Sequence, residues 1–183
     1  MTKIIFFLLS IISATAFCLP KAVILIRHAE EPEADVNYLS EKGFLRAKQL
    51  PRLFTENLTL KSLGQPTYLF AAGVKSEKNS IRSIQTLKDL ALKIKIPVNK
   101  NFIRDDYISL VHEILDQPKY DNQIIMICWQ HKILSDILSK LGGPKVKYPS
   151  GQYDRLWLLT YDKNKKAVFH DLPQKLLPGD DLN

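Results

Sequence analysis

The stretch Ala22-Val-Ile-Leu-Ile-Arg27-His28-Ala29-Glu30 constrains the fold more than any other part of the chain. The β-branched run over 23–26 has no polar face, which is the pattern of a strand covered on both sides. Such a strand belongs inside a sheet with helices on each face. It stops abruptly at an arginine and a histidine, and in open α/β sheets ligands bind just past the carboxyl ends of the strands. The run over 123–128, Gln-Ile-Ile-Met-Ile-Cys, repeats the pattern and also stops at a polar cluster, Trp129-Gln130-His131.

The segments between and after these runs alternate in period. After a polar loop containing Pro32, Ser40 caps a helix with Phe44, Ala47, Leu50, Leu53 and Phe54 at helical spacing, bent or ended by Pro51. A strand over 68–72 and a polar loop over 73–79 precede a second helix over 80–94, with Arg82 in its first turn. A short strand over 95–98, stopped by Pro97, and a helix over 107–115 follow. After the strand over 123–128, a helix over 133–141 ends at Gly142-Gly143-Pro144. Two strands over 155–161 and 167–169 and a loosely packed closing segment complete the chain. The expectation is an α/β three-layer sandwich with a mainly parallel central sheet flanked by helices.

The chain of 183 residues is long enough for one domain with a real core, and 45% hydrophobic with 25% charged residues is a globular balance. A net charge of +7 favours anionic partners. The lysines are scattered without a basic stripe interleaved with aromatics, so nucleic-acid binding is not expected. Residues 1–16 read as a signal peptide: Lys3 is the positive region, 4–12 the apolar one, and Ser13-Ala14-Thr15-Ala16 the cleavage site. The domain then spans 17–183. The expected localisation is exported, periplasmic or secreted, with no stable membrane insertion after cleavage, and a retained anchor is the alternative. Phe17 is too bulky to precede a lipidated Cys18. A Cys18–Cys128 disulfide is not expected, because on parallel strands the two sites lie about 17–20 Å apart, beyond the ~7 Å Cα limit. Cys128 reads as a small buried hydrophobe. Asn57-Leu58-Thr59 is a glycosylation sequon that matters only in a eukaryotic secretory pathway. Nothing in the sequence fixes an oligomeric state.

Arg27, His28, Arg82 and His131 stand at expected strand ends or helix starts. Singly each has a bland reading: an Arg-His pair arises by chance, and a histidine after a strand is more often structural. Together they suit phosphoryl transfer, where catalysis is mostly positioning and charge stabilisation. Arg27 and Arg82 can each grip phosphoryl oxygens through a planar fork. His28 must be neutral to attack, and neighbouring arginines depress its pKa. A carbonyl accepting from its other nitrogen fixes the tautomer. His131 then donates to the transferring group.

At these residues the chain resembles the histidine phosphatase superfamily, with its phosphoglycerate-mutase-like fold. The opening motif is Ile24-Leu-Ile-Arg27-His28-Ala29-Glu30, the Leu-Ser-x-x-Gly helix start is Leu39-Ser40-Glu41-Lys42-Gly43 with Arg46-Ala47, and the Arg-x-x-Gln-Thr helix is Arg82-Ser83-Ile84-Gln85-Thr86. His131 takes the place of the second histidine. The resemblance implies that His28 is phosphorylated and that Arg27, Arg82 and His131 complete the phosphate pocket, with Glu30 beside it. Two departures stand out. The second histidine lies in Trp129-Gln130-His131-Lys132 rather than between glycines, similar to an exported branch with Trp-x-His. The usual glutamate acid after Arg82 has no match, and Asp105, Asp106, Glu113 and Glu30 are candidates by position. Asp154 is expected to be structural, as are His112 and His170. No cofactor or metal is implied, because the histidines lack ligand spacing. The expected function is a metal-independent phosphatase acting on a small phosphorylated compound. A non-catalytic phosphate- or phosphosugar-binding module on the same fold is the alternative.

Overall fold

The computed structural model describes residues 19–76 and 79–180. The expected leader over 1–16, Phe17 and Cys18 lie outside the described residues. Among the described residues, one sheet contains β1 (Ala22–Arg27), β2 (Tyr68–Ala71), β3 (Val98–Asn99), β4 (Ile124–Trp129), β5 (Arg155–Tyr161) and β6 (Ala167–Pro173), in the order β3-β2-β4-β1-β5-β6. β3, β2, β4 and β1 run parallel, while β5 pairs antiparallel with β1, and β6 antiparallel with β5. The helices are α1 (Glu41–Gln49), α2 (Leu53–Glu56), α3 (Leu58–Leu63), α4 (Arg82–Ile94), α5 (Tyr107–Asp116) and α6 (His131–Lys140).

The side chains of the two apolar runs alternate between two cores, as the period of a strand requires. Val23, Leu25, Ile125 and Ile127 meet Leu110 and Ile114 of α5 and Leu134 and Ile137 of α6 on one face. Ile24, Ile26, Met126 and Cys128 meet Phe54, Leu60, Leu87 and Leu90 of α2, α3 and α4 on the other. Burying a leucine- or isoleucine-sized side chain stabilises by about 1.5–3 kcal/mol, so β1 and β4 tie both helical layers to the sheet. Their ends lie level, Arg27 opposite Trp129, and β2 runs beside β4 with Ala71 opposite Cys128. Three parallel strands therefore release the chain at one rim. Burial pushes the Cys128 thiol up to about 12, which suits an inert core residue.

Several local expectations are corrected, but the break expected at Pro51 is present: Pro51 sits in a 3-10 turn, Leu50–Arg52, between α1 and α2. Proline has no N–H to donate and crowds the preceding turn. α3 was hidden behind the sequon; Asn57 caps it, its side-chain oxygen accepting from the Leu60 amide at 3.1 Å. Pro97 precedes β3 rather than stopping it, and α6 begins at His131 itself. The closing segment is docked, not loose. Gln174 and Asp180 are buried, and Gln174 Nε2 donates to the carbonyls of Tyr153 (3.1 Å) and Arg155 (2.9 Å).

Candidate active site

A cleft of about 240 Å³ opens at the rim where the parallel strands end. Arg27, His28 and Glu31 line it from β1 and the segment after it, Gly73 from the end of β2, and Arg82 and His131 from the first residues of α4 and α6. Four residues from three distant parts of the sequence are thereby brought together: Arg27, His28, Arg82 and His131.

His28 continues the ladder past β1, its amide donating to the Trp129 carbonyl at 3.1 Å. Its ring is buried, and Nδ1 lies 2.8 Å from the carbonyl oxygen of Ala29. A carbonyl oxygen can only accept, so the proton sits on Nδ1 and Nε2 keeps its lone pair. Burial pushes the His28 pKa down to about 4, with Arg27 adding and the Ala29 hydrogen bond opposing. Desolvation, more than the arginines invoked from sequence, keeps this imidazole uncharged.

Arg27 is itself buried. Its Nη1 donates to the Ser150 carbonyl. Its Nη2 donates to Glu31 at 3.1 Å and to the Tyr153 hydroxyl at 3.0 Å, and the guanidinium carbon lies 3.8 Å from the Tyr153 ring centre. Arg27 Nε is buried with no partner among the described residues. Arg82 reaches the same carboxylate from α4, its Nη1 donating to Glu31 Oε2 at 2.6 Å. Its Nε donates to Tyr38 O at 3.1 Å and its Nη2 to Val36 O. Glu31 therefore bridges the two guanidiniums and also accepts from the Tyr153 hydroxyl at 3.1 Å. Partial burial pushes its pKa up, but Arg82 above all, then His28, Tyr153 and Arg27, hold it below the usual carboxylate value.

His131 opens α6 with Nδ1 buried and unpartnered. An orphaned acceptor is better tolerated there than an orphaned N–H, which puts the proton on Nε2. Burial, then Arg27 and Lys132, push its pKa down. Trp129, a departure in the sequence, does not crowd the cleft. It is fully buried, and its Nε1 donates to the Arg104 carbonyl at 3.0 Å, fastening one wall.

The Arg-x-x-Gln-Thr segment of α4 holds the chain that leaves His28. Thr86 Oγ1 accepts from the Ala29 amide (2.9 Å) and donates to Arg82 O (2.8 Å), and Gln85 Oε1 accepts from the Leu39 amide at 2.9 Å. Ser40 Oγ caps α1 by accepting from the Gly43 amide at 3.1 Å. Gly43 is needed for close approach: a Cβ there would lie 2.3 Å from the Glu30 carbonyl oxygen.

Glu30, expected to bind substrate or donate a proton, turns away from the cleft. Its carboxylate accepts from Arg46 Nε at 3.0 Å and Nη2 at 2.8 Å, and Arg46 pairs in turn with Asp180 at 2.7 and 2.8 Å. A buried guanidinium needs such partners, and the helical position of Arg46 draws the first acidic residue after Ala29 to itself. The second, Glu31, enters the cleft, and sequence reading passed it over. No local signal separates the two neighbouring carboxylates, because the choice depends on where α1 brings Arg46 and the chain end brings Asp180. Of the other acid candidates, Asp105 lines the cleft and pairs with Arg104 at 2.8 Å. Asp106 accepts from Ser109 Oγ, and Glu113 is held by Lys119 and Tyr120. The Asp154 carbonyl accepts from the Gln174 amide at 2.6 Å, His112 is exposed beside Asp116, and His170 is exposed on β6. Among the described residues no three His, Cys, Asp or Glu side chains are grouped as metal ligands. No described helix is long and apolar enough to cross a membrane.

No protein-family model matches the chain, and no curated protein matches it in sequence. Solved structures do. SixA from Agrobacterium tumefaciens, assigned as a phosphohistidine phosphatase, matches with a TM-score of 0.51 at 17% identity, covering 83% of this chain and 97% of that one. The protein histidine phosphatase SixA complexed with tungstate matches with a TM-score of 0.54 at 10% identity, covering 84% and 97%. The chain shares the fold of these proteins.

Proposed function

We propose that this chain is a phosphatase of the histidine phosphatase superfamily that works through a phosphohistidine at His28. One observation carries the reading: His28 is held neutral in a cleft with its proton committed to Nδ1 and the Ala29 carbonyl. Nε2 is then the nucleophile. It bonds to phosphorus as the bond to the leaving oxygen or nitrogen breaks, and the leaving group departs with a proton. Arg27, Arg82 and His131 carry the charge of the phosphoryl oxygens, the role that preorganised donors fill in such transfers. Water then attacks phospho-His28, releasing inorganic phosphate and restoring the imidazole. His28 and His131 serve as a complementary pair: one presents a lone pair and the other an N–H.

The substrate we propose is a soluble phosphomonoester or a phosphoramidate such as phosphohistidine, which the solved proteins of this fold are described as acting on. We further propose that the chain is exported after removal of residues 1–16 and that it acts without a metal. Incubation with a radiolabelled aryl phosphate and rapid acid-free quenching tests the mechanism. Label is expected on wild type and absent from His28→Ala. A wild type that binds phosphate but takes no label leaves the binding module instead.

A further inference from the structure

Of the acids weighed from sequence only Asp105 lines the cleft, and Arg104, 2.8 Å away, holds it as a carboxylate; the cleft holds a second carboxylate that sequence reading did not weigh. Glu31 lies between Arg27 Nη2 at 3.1 Å and Arg82 Nη1 at 2.6 Å. Those are the two guanidiniums that the proposed reaction assigns to the phosphoryl group. Two carboxylate oxygens on two forks mimic two oxygens of a phosphoryl group, so an arriving dianion and Glu31 compete for the same donors. Building on the phosphohistidine reading, we propose that Glu31 is the general acid of this cleft, protonated only when the substrate's phosphoryl group displaces it from Arg27 and Arg82.

Charge counting gives the reason. Without substrate, two guanidiniums face one carboxylate, and Glu31 stays ionised. A phosphoryl dianion neutralises both guanidiniums, and Glu31 is then left beside a dianion without its cations. Loss of opposite charge and gain of like charge both favour the protonated acid. The other groups facing it do not offset this. Tyr153 offers a hydroxyl, and His28 and His131 are held neutral, chiefly by burial. The Glu31 side chain is also 37% exposed, so there is open space into which an arriving phosphoryl group can displace it. The step balances: as His28 Nε2 bonds to phosphorus and the P–O bond breaks, the carboxyl proton of Glu31 passes to the leaving oxygen. The carboxylate can then take a proton from the attacking water in the second step.

Glu31→Gln keeps size and hydrogen bonding but cannot supply the proton. Rates are to be compared with wild type on phenyl, 4-nitrophenyl and 2,4-dinitrophenyl phosphate. The loss is expected to be about 10²-fold or more on phenyl phosphate and to shrink to near nothing on the dinitrophenyl ester, whose leaving group needs no proton. An equal loss across the series, or a gain across it, overturns the assignment while leaving the phosphohistidine reading intact. No turnover by wild type overturns both. Calorimetric titration with sulfate in buffers of different ionisation heat gives an independent readout. Wild type is expected to take up a proton as sulfate binds and Glu31→Gln to take up none; equal uptake by the two overturns the proposal.

Discussion

Keeping a histidine neutral by burial makes folding sensitive to pH, and the effect has a sign and a size. An unfolded histidine takes a proton below about 6.5, whereas His28 in the folded chain resists until about 4. Between those values the unfolded state binds more protons, so stability is fully present above the unfolded value and is lost as pH falls toward the folded one. At about 1.36 kcal/mol per pH unit, the full window is worth about 3 kcal/mol, of which about 2 kcal/mol is spent by pH 5. Against a typical total of about 5–15 kcal/mol, that is a large fraction. Urea unfolding of wild type and His28→Asn from pH 7.5 to pH 5 isolates this contribution. The substitution has its own constant cost, which cancels when slopes rather than values are compared. Wild type is expected to lose about 2 kcal/mol more than the variant over this range. Parallel slopes would refute the reasoning and imply an imidazole that ionises freely. The same property predicts a rate that stays independent of His28 ionisation down to about pH 4–5.

Two further outcomes test the scaffold behind the cleft. Arg46→Leu leaves the Glu30 and Asp180 carboxylates without their guanidinium, and is expected to destabilise by about 3–5 kcal/mol at pH 7, lowering the melting temperature by roughly 6–20 °C. The deficit should narrow on acidification, as Asp180, which Arg46 holds below the usual carboxylate value, takes a proton; a deficit below about 1 kcal/mol in urea melts would show the triad to be unimportant. Gly43→Ala places a methyl where the Glu30 carbonyl stands, costing about 1–3 kcal/mol and slowing phosphorylation of His28 by shifting the segment that follows it. Wild-type melting and labelling rates would contradict that contact.

Much of this arrangement was legible in the chain because apolar runs buried on both faces look alike wherever they occur. β1 and β4 announced themselves, and their polar ends named one rim. Arg82 could be placed because its helix carries a clear apolar stripe. What escaped notice depended on contacts distant in sequence. Nothing in the adjacent pair Glu30-Glu31 says which carboxylate a buried Arg46 will claim, since that depends on α1 packing across Glu30 and on Asp180 returning from the far end. α3 was missed because Asn57 was read for a sugar rather than as a cap. Trp129 stood out only as a departure from the glycine setting of the second histidine, and nothing local showed that its indole anchors Arg104.

The reversal of β5 carries a last consequence. Because β5 pairs antiparallel with β1, its first residues stand at the same rim that β1, β2 and β4 leave, so the segment over 142–154 delivers Ser150 and Tyr153 to Arg27 on the way in. Much of the cleft lining is a departure from a strand or the start of a helix, and changing it means disturbing the frame. This segment runs between Leu141 at the end of α6 and Arg155 at the start of β5, anchored by Tyr148 buried against Trp157, and it backs Arg27 rather than lining the cleft itself. Changes on either side of Tyr148 leave the alignment of the strands alone but alter what Ser150 and Tyr153 offer Arg27, making this loop the part of the molecule through which the hold on an anion can be retuned from behind the cleft.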